Sequence, residues 1–365
     1  MATLRSGWIG TGPRTARFEE RFAELKGSPH AVAVSSGTAA LHLSCLVAGL
    51  GRGDEVIVPA MTFCATANAV LHAGALPVLA DCEAASGNVD PEAVERAITP
   101  RTRAILPVHL AGRPCEMDAI LDLARRHGLK VIEDAAHAIE TEYRGRPAGT
   151  LGDLGCFSFY VTKNLITGEG GMVVTDDGEA AARIKIMALH GLSADAWQRY
   201  SDEGYKHYLV TECGFKSNLT DLQAALGLHQ LERLEQSWER RRAIWEHYQQ
   251  ALADLPLGRP PAPAADTRHA FHLYPVLVDP DAAGLTRDRF IEAMTERKIG
   301  VGVHFMALPE HPYYRQHLGW KPEDTPTATR IGRQTVSLPL SPGLSDEDVE
   351  DVIEAVRDVV HGEGR

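Results

Sequence analysis

Lysines are mostly exposed and inert, but Lys163 leaves an apolar run, Phe157-Ser158-Phe159-Tyr160-Val161-Thr162, and enters a turn containing Gly168, Gly170 and Gly171. Desolvation and neighbouring cations lower the pKa of such an amine, so that it can form a Schiff base with a carbonyl. Earlier in the chain, Val131-Ile132-Glu133-Asp134-Ala135-Ala136-His137 puts an acidic residue at the carboxyl end of a buried strand, where open α/β sheets hold their ligands. A carboxylate there must be paired or hydrogen-bonded. A protonated pyridine nitrogen is one fitting partner; a helix cap or a structural salt bridge is the plainer alternative. Ser35-Ser36-Gly37-Thr38-Ala39-Ala40, between an apolar strand and a helix, offers backbone N–H groups and the Thr38 hydroxyl to a phosphate, with Gly37 allowing close approach. The same residue types also make an ordinary N-cap. A fourth segment, Gly214 to Asp221, reads by itself as a capped loop-to-helix junction.

The elements that must position these residues are legible as alternating strands and helices. Strands are expected at Ala31–Val34, Asp54–Pro59, Leu76–Asp81, Ala104–Val108, Lys130–Asp134, Gly155–Tyr160 and Gly171–Thr175, with helices at Ala39–Leu50, Cys64–Ala73 and Met117–His127. The strand runs are continuously apolar, which implies coverage on both faces and a largely parallel sheet in a three-layer α/β/α domain. One long helix is expected from Thr220, with Leu231, Leu234, Trp238, Trp245, Tyr248 and Leu252 as a packing face between domains; a DNA-reading helix is the sharper reading of that stripe. Pro256 to Asp266 reads as a connector, followed by a strand over Ala270–Val278, a helix over Arg287–Lys298 and an amphipathic helix opened by Ser345. The expected division is a large domain over residues 1–240 and a smaller C-terminal α/β domain over 241–365.

The chain has 365 residues, enough for two domains, and 44% of them are apolar. Its net charge of −12 disfavours nucleic-acid binding, while a local cluster of donors could still hold a small anion. No apolar run approaches the ~18 residues needed to span a bilayer, and no secretory leader pattern is visible, so no membrane partner and a cytoplasmic location are expected. The six cysteines form no C-x-x-C pair and read as buried reduced thiols, and no metal site is expected.

In chain order, the segments Ser35 to His42, Glu133 to Ala138, Phe157 to Gly171 and Gly214 to Ala225 resemble the sugar aminotransferase family DegT/DnrJ/StrS, and the likeness runs from about Leu4 to the final helix. The resemblance implies a fold type I enzyme dependent on pyridoxal 5'-phosphate, with pyridoxamine 5'-phosphate as its half-reaction form. It implies that Lys163 is the Schiff-base lysine, that Asp134 pairs with the ring nitrogen, and that His137 lies near the ring hydroxyl. Gly37, Thr38, Ala39 and Ser158 would hold the phosphate, and Phe63 would stack on the ring. Asn218 would reach the phosphate of the neighbouring subunit's cofactor, which implies a homodimer with shared active sites. Lys163, where related dehydratases carry histidine, implies transamination. The partners implied are an amino-acid donor, expected to be L-glutamate, and a keto sugar linked to a nucleoside diphosphate. His137, with His190, His304 and Tyr313-Tyr314, is most similar to members that aminate C4; His304 and Tyr313 are the substrate candidates. A keto-cyclitol acceptor is the alternative. The chain departs from the family in starting close to Ser6-Gly7-Trp8-Ile9, so a shortened N-terminal arm is expected, and in Ser217 and Ile166, where many relatives have tyrosine and threonine.

Overall fold

The computed structural model describes residues 2–193 and 209–362. In chain order its strands are β1 (His30–Val34), β2 (Glu55–Pro59), β3 (Leu76–Ala80), β4 (Thr102–Ile105), β5 (Lys130–Asp134), β6 (Glu142–Tyr143), β7 (Arg146–Pro147), β8 (Leu154–Ser158), β9 (Gly171–Thr175), β10 (Thr267–Arg268), β11 (Tyr274–Leu277) and β12 (Thr335–Leu338). Seven of them form the main sheet in the order β1-β9-β8-β5-β4-β2-β3. Strands β3, β2, β4, β5 and β8 are parallel; β9 is antiparallel to both its neighbours, so β1 rejoins the common direction.

Alternation of side chains along each strand builds two apolar layers. Val32, Val34, Val56, Val58, Ile132 and Cys156 face one side and pack on Leu41, Leu43, Ala67, Val70, Ile184 and Met187. On the other side, Ala31, Ala33, Phe157 and Val174 meet Phe18 and Phe22, while Ile57, Ile105 and Val131 meet Ile120 and Leu123. The result is the expected three-layer α/β/α arrangement. Phe18, Phe22, Phe157 and Phe159 meet edge to face with centroids 5.0 to 6.2 Å apart, a stiff floor beneath the strand that leads to Lys163. The outer edge of β1 is covered by a side chain: Glu19 Oε1 accepts from the Ala33 N–H at 2.9 Å, and Glu19 Oε2 meets Lys185 Nζ at 2.9 Å.

A second core gathers Ile244, Trp245, Tyr248, Tyr274, Val276, Phe290, Val336, Ile353 and Val356 around the antiparallel pair β11–β12. The C-terminal helix Asp346–Gly362 closes it, with the Ser345 hydroxyl accepting from the Asp348 N–H at 3.1 Å.

Four expectations need correction. The stretch after Thr220 is two helices, Asp221–Glu232 and Leu234–Ala251, joined at Arg233, which has non-helical φ/ψ of −108° and 1°. Leu231 and Leu234 pack on the first core, but Trp238, Trp245 and Tyr248 pack on the second, and the break lets the chain serve both. The strand expected over Ala270–Val278 begins only at Tyr274: the N–H groups of Ala270 and His272 are spent on the carbonyls of Gly112 and Ala111, and Phe271 has a φ of 49°. The strand expected at Ala104–Val108 is Thr102–Ile105. Of the thiols, Cys45, Cys82, Cys115 and Cys156 are buried as expected, Cys64 is partly exposed and Cys213 is exposed. A short helix, Ala2–Arg5, precedes the Ser6–Ile9 segment. Among the described residues no helix is long and apolar enough to cross a membrane.

The two cores are tied by a buried ion pair. Arg241, on the second of these helices, reaches Glu140 in the loop after β5, and each side chain is 2% exposed. Breaking such a pair strands a charge in a dry site. Arg241→Met is expected to cost about 3–5 kcal/mol in urea unfolding, and adding Glu140→Gln should recover part of that loss.

Candidate active site

Because β1, β2, β5 and β8 point the same way, the chain leaves all four at one edge of the sheet, where an open α/β fold forms its ligand crevice. A cavity of about 580 Å³ lies there. Gly37, Thr38, Phe63, Asp134, His137, Ser158, Lys163 and His304 all line it.

Asp134 is the last residue of β5 and is buried. Its Oδ2 accepts from Thr66 Oγ1 at 2.9 Å and its Oδ1 from the Ala136 N–H at 3.2 Å. Thr66 spends its one hydroxyl proton on Asp134, so in the 2.8 Å contact between the two threonine hydroxyls Thr62 must donate. Burial pushes the Asp134 carboxyl up, and Thr66, the Ala136 amide and the charge of Lys163 pull it down without fully offsetting burial. Asp134 has no salt-bridge partner among the described residues, and a ring N–H⁺ in the cavity would supply the missing cation.

Lys163 sits in the turn after β8, its own N–H bonded to the Tyr160 carbonyl at 2.9 Å. Its Nζ makes no hydrogen bond among the described residues. Burial lowers its pKa to about 8, against the pull of Asp134. His137 is buried, and burial with the nearby charge of Lys163 and the rings of His272 and His304 pushes its pKa well below the usual value. Its Nδ1 accepts from the Ala111 N–H at 3.3 Å, so the neutral ring carries its proton on Nε2.

At the other end of the cavity the helix Gly37–Val47 begins. The Ser36 hydroxyl caps the Ala39 N–H at 3.0 Å, which leaves the amides of Gly37 and Thr38 as open first-turn donors. The Ser-Ser-Gly-Thr segment is thus an N-cap that leaves two first-turn amides available to a ligand. A Cβ on Gly37 would lie 2.8 Å from Ser158 Cβ, so this helix end can meet the end of β8 only with glycine there. Amides on a helix dipole beside a serine hydroxyl suit a phosphate, and the donor set as a whole fits pyridoxal phosphate.

Ala39 and Tyr313 do not line the cavity, and Asn218, expected to reach a neighbouring subunit's cofactor, lies outside its own. The Ala39 amide is the one that Ser36 caps. Asn218 Nδ2 donates to Thr11 Oγ1 at 2.6 Å, and its Oδ1 meets Lys216 Nζ. Tyr313 is 53% exposed. The rest of the fourth motif is structural: Thr220 and Gln223 form a capping box, and Asp221 accepts from the N–H groups of Arg14 and Thr15 at the start of the helix Pro13–Lys26. Sequence reasoning missed Thr66, His272 and Phe305. Thr62 and Thr66, four residues apart where a strand gives way to a helix, were the available signal for the first. His272 was hidden inside an expected strand.

Two outcomes follow from this geometry. Trapping of pyridoxal phosphate on Lys163 by borohydride in the cofactor-free protein should rise with pH through about 8, where the neutral amine appears, rather than through the ordinary lysine value of about 10.4. Gly37→Ala should weaken pyridoxal phosphate binding about tenfold by equilibrium dialysis, since overpacking of ~1.4 kcal/mol falls on the phosphate end.

The model of the DegT/DnrJ/EryC1/StrS aminotransferase family matches residues 1–357. The spore coat polysaccharide biosynthesis protein SpsC of Bacillus subtilis is 51% identical over 361 residues, covering 99% of this chain and 93% of that protein. The putative sugar aminotransferase Spr1654 of Streptococcus pneumoniae, solved in PMP and PLP forms, superposes with a TM-score of 0.92 for both; identity is 33% and 32%, over 99% of this chain and 94% and 95% of those chains. DesV of S. venezuelae gives a TM-score of 0.88 at 39% identity, over 98% of this chain and 92% of its own. The chain belongs to the DegT/DnrJ/EryC1/StrS aminotransferase family, and it is a pyridoxal-phosphate-dependent aminotransferase.

Proposed function

We propose that this enzyme moves an amino group from L-glutamate to the ketone of a sugar linked to a nucleoside diphosphate, at C4. The observation that carries the reading is the meeting of Lys163, Asp134 and the open amides of Gly37 and Thr38 in one cavity. The relatives' names, a polysaccharide biosynthesis protein and a sugar aminotransferase, support a sugar acceptor. The preference for C4 rests on the histidine at position 137.

Bound pyridoxal phosphate supplies the electron sink for breaking the C–H bond of the amino donor. Asp134, in a site where burial makes an unpaired carboxylate costly, holds the ring-nitrogen proton in place. Lys163 would be the residue that holds the cofactor covalently, and its neutral Nζ, when free, would be the group in the cavity able to take up and give back a substrate proton. The depressed pKa suits that task, since the amine gives up its proton near neutral pH. Gly37, Thr38 and Ser158 would hold the phosphate, with Ala39 as part of the same helix turn, and His137 would offer its Nε2–H to the cofactor's ring hydroxyl. Phe63, 55% exposed and 5.7 Å from Phe305, is free to stack on the ring. His304 in the cavity wall is better placed for the sugar than Tyr313. Asn218, turned away from its own cavity, serves the partner's cofactor in a homodimer. Residues 1–240 carry the cofactor and 241–365 form the smaller domain, a division supported by the second core around β11–β12, while Leu308 and Tyr314 reach back to pack on the first. The unpaired thiols fit a reducing compartment, the cytoplasm.

The test is a visible-absorbance titration of the cofactor-loaded protein. L-glutamate should bleach the band of the lysine-linked cofactor, and one member of a panel of nucleotide-linked 4-keto and 3-keto sugars should restore it. Restoration only by free keto-cyclitols would move the acceptor to that class. Lys163→Ala should fold, lack the band and lose turnover by a factor of at least ~10³; unchanged activity in that variant would sink the lysine assignment.

A further inference from the structure

The cavity wall holds two facing imidazoles, His137 and His272, with centroids 4.3 Å apart. Their hydrogen bonds give them opposite polarity. His137 Nδ1 accepts from a backbone N–H, so its free nitrogen is a donor. His272 Nδ1 lies 2.9 Å from Asn164 Oδ1. The orientation of that amide is set independently, because Asn164 Nδ2 donates to Glu140 Oε2 at 2.8 Å and to the Ala270 carbonyl at 3.0 Å. Turning the amide over would bring its oxygen against two acceptors. Glu140 is in turn held by the buried guanidinium of Arg241. Asn164 Oδ1 can only accept, so His272 Nδ1 carries the proton.

The second ring nitrogen of His272 is thereby left with a lone pair. Among the described residues no group donates to it, and the ring lines the cavity. A second proton is opposed by burial first, and then by the charges of Lys163 and Arg241. The residue is fixed in the chain as well: the backbone N–H of His272 donates to the Ala111 carbonyl at 3.1 Å, on the same loop that holds His137. A sugar brings hydroxyl groups into this cavity, and each one that leaves water needs an acceptor.

We propose that His272 is a substrate-binding residue whose Nε2 accepts a hydrogen bond from a hydroxyl of the keto sugar, and that Asn164, held by Glu140 and Arg241, is the positioning residue that fixes this polarity. The proposal rests on the keto-sugar reading above. Lys163 and Asn164 are adjacent in sequence, so one turn supplies the reacting amine and the group that orients the acceptor.

The tautomer can be read directly by nitrogen NMR of the holoenzyme with isotope-labelled histidine. His272 should be neutral with its proton on Nδ1, and Asn164→Leu should replace that signature by a mixture of forms. A wild-type ring protonated on Nε2 overturns the proposal, whether or not any variant folds. Kinetics then use the keto sugar that restores the absorbance band and its singly deoxygenated analogues. His272→Phe should raise KM about 5-fold, the worth of one hydrogen bond of ~1 kcal/mol, with a smaller change in kcat. One deoxy analogue should lose the same factor on the wild type and nothing further on His272→Phe. If every analogue loses equally on both proteins, the proposal fails while the keto-sugar reading stands. A wild type that accepts no keto sugar removes that reading and the proposal with it.

Discussion

An ionised carboxylate at the end of a strand covered on both faces has lost its water, and Asp134 stands in that position. Two hydrogen bonds, from Thr66 and from the Ala136 amide, offset part of the loss. What remains is a need for positive charge, which makes the cavity a receptor for a protonated ring nitrogen. The neighbouring elements can be understood from this need. The helix after β2 is placed so that Thr66 reaches the carboxylate, and the turn after β8 brings an amine within its field.

The same desolvation acts with opposite sign on Lys163. Burial disfavours both charged forms, raising the carboxyl and lowering the amine. One burial thus prepares two groups for different work: a carboxylate that holds on to any cation it meets, and an amine that releases its proton readily. Their separation depends on stiff supports. The edge-to-face phenylalanines hold the strand that leads to Lys163, and the Arg241–Glu140 pair anchors the loop after β5 to the second core.

The central strands and the chemistry they carry were legible because buried parallel strands are written as continuous apolar runs, and because Lys163 and Asp134 interrupt or end such runs. The helix Met117–His127 and the strands β5 and β9 fell where hydrophobic pattern placed them. Legibility ended where tertiary contacts overrode local pattern. The break at Arg233 is invisible in a stripe whose spacing is helical on both sides, since only the positions of the two cores require it. Residues 270–273 look like the start of a strand, but their backbone is drawn to the loop at 111–112. Thr66 was missed because a threonine near a helix start has many structural uses. Tyr313 was drawn from resemblance alone, and it does not line the cavity.

Glu133, the immediate neighbour of Asp134, shows what a strand does with two consecutive acids. It points to the opposite face, where His109 Nε2 at 2.8 Å and the N–H groups of Gly149, Leu151 and Gly152 at 2.7 to 2.8 Å occupy its oxygens. His109 Nδ1 accepts from the Cys115 N–H, so the ring approaches Glu133 as a neutral donor. Burial alone would raise Glu133, yet these four donors hold it below the usual carboxylate range. One acid is saturated and the other is left open. The dipeptide therefore works as a ruler for β5: a slip of one residue would drive the open acid into a nest built for a full one, and would leave four donors facing the wrong oxygen spacing. Alignment of the strand and readiness of the cavity are in this way a single condition, met together or not at all.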